Sequence, residues 1–243
     1  MKRYAISVIT ITIVLLLILF FSVNTDEMIR NKIEEGEIVY SNELGFINWD
    51  HAKPEGTLRA FRELQRLNRT ITNTVTFSYS QQMIIRVGSF SAVAEYTEER
   101  NIPRRLTSTE ELVFFLEIFT SVTESFEKMQ GELPYGIIPQ TKASSFREGD
   151  LMGNLLSFYI AVSDENLNEI RSDLTILTTT EAYEVYENLD LSHDQLIDWS
   201  RLLAPLDDSF NIVCTLKQII DLSTKIEQPL SIKTAGKKRF YFL

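Results

Sequence analysis

Apolar and polar positions alternate along Val75–Tyr96, which is the period of a half-buried β-strand. Gly88 and Ser89 interrupt the alternation, and such a pair is typical of the two-residue loop of a β-hairpin. Folding the segment about this pair places the apolar positions of both arms on one face. The predicted pairs are Val87 with Phe90, Ile85 with Ala92 and Met83 with Ala94. The pattern therefore predicts a hairpin rather than a helix.

A spacing of three and four residues between apolar positions predicts a long helix in the middle of the chain. Thr107 and Glu110 form the capping-box pattern that begins a helix, and Gly131 follows its last periodic residue. Its apolar stripe consists of Leu112, Phe115, Phe119, Val122, Phe126 and Met129. Other apolar residues flank the stripe, so we expect this helix to be the central helix of the domain.

Three further segments have weaker patterns. Ser145 begins a second capped helix that runs to about Val162, and its Gly153 would let another backbone come close. Pro54 indicates the start of a helix just after the region of His51. The last seven residues are compatible either with an edge strand or with a docked tail.

Tyr4–Val23 is an uncharged run of 20 residues, long enough to cross a bilayer as a helix. Lys2 and Arg3 precede the run and Asp26 follows it, so the positive-inside rule places the N-terminus in the cytoplasm and the remainder outside it, in the periplasm of a bacterium. A cleavable signal peptide is the alternative, but its apolar region would be shorter and no A-x-A-like site follows. We therefore expect an uncleaved signal-anchor.

These patterns divide the chain into three parts. Residues 1–23 are the predicted membrane anchor. Residues 24–39 are polar and charged, which is typical of a stalk or a solvated helix. Residues 40–243 are the predicted globular domain. The predicted fold class is α+β and predominantly helical, with one extracytoplasmic domain that contains a β-hairpin and follows a single transmembrane helix.

Composition narrows the possible partners. The net charge is −10, which argues against nucleic acid because its phosphates require a basic surface. Cys214 is the single cysteine and the chain has two histidines, too few ligands for a thiolate cluster or a multi-histidine zinc site. We therefore expect neither a metal nor a cofactor.

Candidate chemistry is concentrated in the segment Gly45–Gly56, which holds Trp49, Asp50 and His51. Histidine is the side chain that titrates near neutral pH without help, so His51 is a candidate general base. The alternative is a structural histidine that holds the loop through a hydrogen bond. Asp50 either orients His51 or is a solvated loop acid.

The two capped helices add acids and amides. Glu127 lies beside the apolar stripe and is the acid expected to be partly buried, which would raise its pKa, unless it is a boundary residue paired with a lysine. Asp150 and Asn154 lie four residues apart and share one helix face, which is either a binding pair or a solvated stripe. The antiparallel arrangement of these helices predicts one polar pocket formed by His51, Glu127, Gln130, Ser145, Asp150 and Asn154.

Several motifs resemble those of an uncharacterised bacterial family of membrane-anchored or lipoprotein-like envelope proteins. They are GFINWDHAKPEG, the FSYSQQM of residues 77–83, the SFEKMQ of residues 125–130 and the SSFREGDLMGNLLSFYIAV of residues 144–162. The family patterns are GxIDWxHAxP, FExxQ and SSFxxxDLxxN, and the resemblance covers about half of the chain. It implies that His51, Glu127, Gln130, Ser145, Asp150 and Asn154 occupy the polar motif positions. Asn48 departs from the aspartate of the pattern, which argues against a role that needs a charge there.

Because the family has no assigned activity, the resemblance implies a fold and a compartment rather than a reaction. We expect a single-pass envelope protein whose domain binds a peptide, a glycan or a protein partner, with Trp49, Asp50, Gln130, Ser145 and Asn154 as binding residues. The alternative is a hydrolase with His51 as general base, supported by Glu127 or Asp150.

Overall fold

The computed structural model describes residues 25–70, 72–87, 90–131, 147–163, 165–188, 203, 206, 209–226 and 230–242. This part of the chain forms seven helices: α1 (Thr25–Glu34), α2 (Glu55–Thr70), α3 (Ser108–Gly131), α4 (Arg147–Ser163), α5 (Leu167–Asp173), α6 (Thr179–Asn188) and α7 (Asn211–Lys225). Its strands are β1 (Ile38–Ser41), β2 (Gly45–Asn48), β3 (Val75–Val87), β4 (Phe90–Ile102) and β5 (Ile232–Phe242). One sheet pairs β1 with β2, and the other has the order β3–β4–β5. The described residues are therefore an α+β fold.

Strands β3 and β4 form the predicted hairpin. The register is the predicted one and pairs Val87 with Phe90, Ile85 with Ala92 and Met83 with Ala94. The predicted turn, Gly88 and Ser89, lies outside the described residues. The ladder extends to the pair of Val75 and Ile102, and β5 adds to the outer side of β4. The C-terminal segment is thus an edge strand, one of its two predicted structures.

Helix α3 is the centre of the core, as its apolar pattern predicted. The backbone N–H of Thr107 donates to Glu110 Oε2 at 2.8 Å, and the N–H of Glu110 donates to Thr107 Oγ1 at 3.3 Å, which confirms the capping box. Phe119 of the apolar stripe packs against Tyr79 of β3 and Phe158 of α4. The helix therefore lies between the three-stranded sheet and α4.

Residues 24–39 were predicted to form a stalk or a solvated helix, but the described part of this segment packs against the rest of the fold. Residues 25–34 form α1, and β1 begins at Ile38. Ile29 and Ile33, one helical turn apart, are buried together with Phe46 of β2 and Tyr186 of α6. These side chains form a second, smaller apolar cluster that attaches α1 to the β1–β2 sheet.

The structure corrects the sequence prediction of a membrane-spanning helix. No helix within the described ranges is long and apolar enough to span a bilayer, which contradicts the anchored fold class and the single-pass, periplasmic location. A spanning helix needs about 20 consecutive apolar residues. Helix α3 is the longest of the described helices at 24 residues, and Glu117, Glu124 and Lys128 interrupt its apolar positions. Residues 1–23, from which the anchor was predicted, lie outside the described residues.

Candidate functional site

The loop between β2 and α2 carries His51 and lies directly on helix α4. A Cβ atom placed on Gly153 of α4 would lie 2.8 Å from His51 Cβ and would also press against the carbonyl oxygen of Asn48. Only glycine permits this approach, because it has no side chain. The predicted role of Gly153, to let another backbone come close, is confirmed.

Asp150 is fully buried beneath this loop. Its Oδ1 accepts a hydrogen bond from Asn48 Nδ2 at 2.7 Å, whereas its Oδ2 has no hydrogen-bond partner among the described residues. Burial raises the pKa of the Asp150 carboxyl, and the nearby His51 and the hydrogen bond from Asn48 oppose that shift in part. His51 Nε2 lies 3.6 Å from the same Oδ1. The Asp150 carboxyl group therefore contacts both His51 of the loop and Asn48 at the end of β2.

Asn154, one turn further along α4, extends the network to the large sheet. Its Nδ2 lies 3.2 Å from His51 Nδ1, and its Oδ1 accepts from Gln81 Nε2 of β3 at 3.2 Å. Gln81 Nε2 also donates to Thr123 Oγ1 of α3 at 3.0 Å. One chain of hydrogen bonds thus connects the His51 loop, α4, β3 and α3.

Both ring nitrogens of His51 face side chains of α4. The amide nitrogen of Asn154 is only a donor, so Nδ1 must accept, and the proton of the neutral ring lies on Nε2, toward Asp150. The ring is held in one tautomer and one orientation. The side chain of His51 is 23% exposed and forms part of the groove wall.

A second set of hydroxyl contacts holds the start of α2 against α4. Thr57 Oγ1 and Ser157 Oγ lie 2.6 Å apart, and Ser157 Oγ donates to the carbonyl oxygen of Lys53 at 3.1 Å. The buried hydroxyl of Tyr79 bonds to Thr57 and Gln81, and burial raises the pKa of Tyr79 to about 12. The hydroxyl therefore remains protonated at neutral pH and acts as a hydrogen-bonding group.

A groove of about 610 Å³ lies above these two networks, between α2 and β3, and we name it the polar groove. Hydroxyl, amide and charged side chains line most of it, over a floor that includes aromatic and thioether groups. Its lining consists of Asp50, His51, Lys53, Gly56, Thr57, Arg59, Ala60, Glu63, Ser78, Tyr79, Ser80, Gln81, Gln82, Met83, Phe126, Gln130, Asn154 and Ser157.

The structure brings together some of the predicted site residues. His51, Asp150 and Asn154 form one contact network, as the predicted pocket requires. Gln130 lines the polar groove, and its Nε2 lies 3.8 Å from Met83 Sδ. Asp50 lies at the rim, in a salt bridge with Lys53 that lowers the pKa of its carboxyl.

Two predicted residues lie elsewhere, and the position of a third is not described. Glu127 is buried, 2% exposed, and is not among the described residues that line the polar groove. Trp49 is buried in the core, and the Arg171 guanidinium lies 5.0 Å from its ring centroid. Ser145 lies outside the described residues. The predicted pocket is thus assembled around His51, Asp150 and Asn154 without Glu127 in its wall.

The sequence interpretation missed the two amides that complete the network. Asn48 donates to Asp150. Gln81 lies on the same face of β3 as the buried residues Phe77 and Tyr79. A polar residue at such an inward position indicates a buried hydrogen-bond network, so the sequence did contain a usable signal.

Comparisons with protein-family models, with curated proteins and with solved structures found no match for this chain. The functional argument therefore rests on the geometry of the polar groove.

Proposed function

We propose that the protein is a non-catalytic binding protein whose polar groove holds a polypeptide segment of a partner. One observation carries the proposal: Asn154 Nδ2 lies 3.2 Å from His51 Nδ1, and the buried Asp150 Oδ1 lies 3.6 Å from Nε2. A general base needs a free nitrogen within hydrogen-bond reach of the substrate, whereas here Nδ1 accepts from Asn154 and Nε2 points toward the buried carboxyl group of Asp150. The network instead holds the groove wall in a fixed position.

The lining of the polar groove suits a ligand that is both polar and apolar along its length. Side-chain donors and acceptors of Ser78, Ser80 and Gln82 border it, while Met83 and Phe126 contribute an apolar floor. Such a combination of an apolar surface and a few fixed polar groups is typical of binding sites, which commonly measure about 300–1,000 Å³.

Of the predicted ligand classes, a polypeptide is favoured over a glycan. The aromatic residues of the described lining are Tyr79 and Phe126, which are 6% and 4% exposed. Neither offers an accessible ring face on which a sugar could stack. Main-chain and side-chain amides are the principal groups along the β3 wall, and they match the hydrogen-bonding groups of a peptide.

A hydrolase remains the second candidate because a buried carboxyl group of raised pKa lies behind a histidine that faces the groove. That activity would require Asn154 to release Nδ1 when the substrate binds. The two functions differ in their response to His51→Gln, since an amide can replace hydrogen bonds but cannot act as a general base.

A peptide-display screen on the immobilised full chain tests the proposed function. Gly56→Trp should fill the polar groove, because nothing lies within 4 Å of a Cβ placed at Gly56. Glu55→Trp is the matched control, with the same added side chain on a neighbouring position that is not part of the described lining. Selected peptides should bind the control normally and bind Gly56→Trp about tenfold more weakly or worse.

Equal binding to Gly56→Trp and Glu55→Trp would show that the groove is not the binding site. Cleavage of the selected peptides by the unaltered protein, abolished by His51→Gln, would favour the hydrolase instead.

A further inference from the structure

Strand β3 lies at the edge of its sheet, and its outer side opens into the polar groove. The sheet order β3–β4–β5 leaves β3 paired on one side only within the described residues. Residues 78–83 line the groove without interruption. Because successive side chains point to opposite faces of a strand, a continuous lining means that the groove follows the main-chain edge.

The register of the hairpin identifies which β3 residues present their backbone groups to the groove. Only two residues separate Val87 from Phe90, so this pair exchanges hydrogen bonds across the ladder. In every second residue before Val87, the backbone N–H and C=O groups also point toward β4. In the residues between them, these backbone groups point outward, away from β4. The outward residues in the groove are Ser78, Ser80 and Gln82. Their outward N–H groups have no hydrogen-bond partner among the described residues.

Among the described residues, the edge strand β3 is long, at 13 residues, and from Thr76 to Ile85 it lacks charged residues and prolines, which are common means of preventing unwanted strand pairing. The opposite edge of the sheet, β5, carries Lys233, Lys237, Lys238 and Arg239. Charged residues, lysine above all, are common on edges that must remain unpaired. The contrast indicates that β3 is the edge open to a partner.

Helix α2, which forms the opposite wall of the polar groove, carries a row of arginines, of which Arg59 lines the groove. Arg59, Arg62, Arg66 and Arg69 are all exposed, and their spacing of three, four and three residues places them on one helix face. Arg66 pairs with Glu63 at 2.7 Å, whereas the other three have no ion pair among the described residues. A depression of about 490 Å³ that contains Arg62 and Arg66 shares Arg59 with the groove. This positive row is an exception in a chain of net charge −10.

We propose that the ligand of the polar groove is an extended acidic peptide segment, which hydrogen-bonds to β3 as a fourth strand of the sheet. This inference rests on the proposed binding function and adds the mode of recognition. The backbone of Ser78, Ser80 and Gln82 binds the main chain of the peptide, and Arg59 with its row attracts the acidic side chains. Residues 78–82 correspond to about 16 Å of extended chain at roughly 3.3 Å per residue, so about five peptide residues pair with β3.

The probe for the first test is a synthetic nine-residue peptide of alternating valine and glutamate, blocked at both ends and titrated into the full chain. We expect saturable binding that protects the backbone N–H groups of Ser78, Ser80 and Gln82 from hydrogen exchange. The same peptide with lysine in place of glutamate should bind about tenfold more weakly or worse, because it meets the arginine row with like charge.

Two further peptides test the main-chain hydrogen bonds without any change in the protein. One is N-methylated on its valines and the other on its glutamates. Only one of the two sets faces β3, so one peptide should lose binding and the other should retain most of it. If both methylated peptides bind as well as the unmethylated probe, strand addition is refuted. It is also refuted if the unmethylated probe shows no saturable binding.

A protein variant supplies the complementary test. Ser80→Pro removes one outward N–H group, and a proline at that position leaves the ladder with β4 intact. Lys238→Pro is the matched control because, by the same counting, residue 238 faces outward on β5. Ser80→Pro should weaken the binding of the valine–glutamate peptide about tenfold or more, whereas Lys238→Pro should have little effect on it.

The outcomes separate this inference from the proposed function. If display-selected peptides are excluded by Gly56→Trp but are insensitive to Ser80→Pro and to N-methylation, the groove binds peptides without strand addition. If the lysine and glutamate peptides bind equally, the arginine row does not select an acidic ligand, and the inference fails in that respect. A folding defect in Ser80→Pro, detected by circular dichroism, leaves the N-methylated peptides as the decisive test.

Discussion

Gly153 and His51 are in direct contact, and a Cβ on Gly153 would lie 2.8 Å from His51 Cβ. Through this contact α4 determines where the loop lies and therefore where the imidazole enters the wall of the polar groove. The same helix provides Asp150 and Asn154, which face the two ring nitrogens. Position and orientation of the histidine thus come from one element.

Gly153→Ala should destabilise the fold although alanine is the better helix former. The added methyl group would meet the backbone of the His51 loop, including the nitrogen of Ala52 at 3.3 Å, and backbone atoms cannot move aside cheaply. Overpacking of this kind costs about 1–3 kcal/mol, which exceeds the gain of about 1 kcal/mol in helix propensity. Urea denaturation measures the change. Gly56→Ala is the control, since open space surrounds that position, and it should leave stability equal or higher.

Asp150 should make stability fall as the pH rises through the range in which it ionises. Its pKa is raised above the ordinary value of 3.8, so between the two pKa values the folded state binds more protons than the unfolded state. The contribution of the neutral carboxyl is complete below 3.8 and is lost as the pH rises through the folded-state pKa. Urea denaturation at a series of pH values should therefore show a flatter decline for Asp150→Asn than for the unaltered protein.

Asp50 provides a control of opposite sign for this experiment. The hydrogen bond from Lys53 lowers the pKa of Asp50, so its contribution is present above the ordinary value and is lost as the pH falls. Asp50→Asn should therefore leave the decline toward higher pH unchanged. If Asp150→Asn and Asp50→Asn give the same pH profile, the raised pKa of Asp150 is refuted.

His51 and Asn154 should be energetically coupled. Each single alanine substitution leaves the partner of the lost contact without its hydrogen bond, at a cost of about 1–3 kcal/mol. The second substitution then costs less than the first, so a double-mutant cycle should give an interaction energy of about 0.5–3 kcal/mol. Additive effects would show that the contact of 3.2 Å contributes nothing to stability.

The capping box of α3 should contribute measurably to stability. Thr107→Ala removes the side-chain acceptor for the N–H of Glu110 and should cost about 1 kcal/mol. Thr107→Ser retains a hydroxyl group and should cost much less. Thermal unfolding followed by circular dichroism distinguishes the two variants, and equal melting temperatures would contradict the role of the cap.

The locally encoded features could be predicted. A capping box needs a hydroxyl group and a carboxylate three residues apart, so the pattern of Thr107 and Glu110 contains all the interacting groups. The hairpin register follows from a two-residue loop, because shifting it by one residue would reverse the faces of every side chain. The same reasoning could not foresee that Ile29 and Ile33 pack, since two apolar residues acquire a buried face only when β2 and α6 supply the other side.

The sequence by itself determined the central helix and the hairpin with its register, because those features depend on neighbours within a few residues. It also indicated a close backbone approach at Gly153, but only the tertiary structure showed that the approaching segment is the His51 loop. Only the tertiary structure decided that Asn48 and Gln81 join His51, Asp150 and Asn154, and that Glu127 stays out of the described groove wall. The edge position of β3 was likewise decided by tertiary structure. These relationships depend on how whole elements pack, and the separation of the residues along the chain carries no information about it.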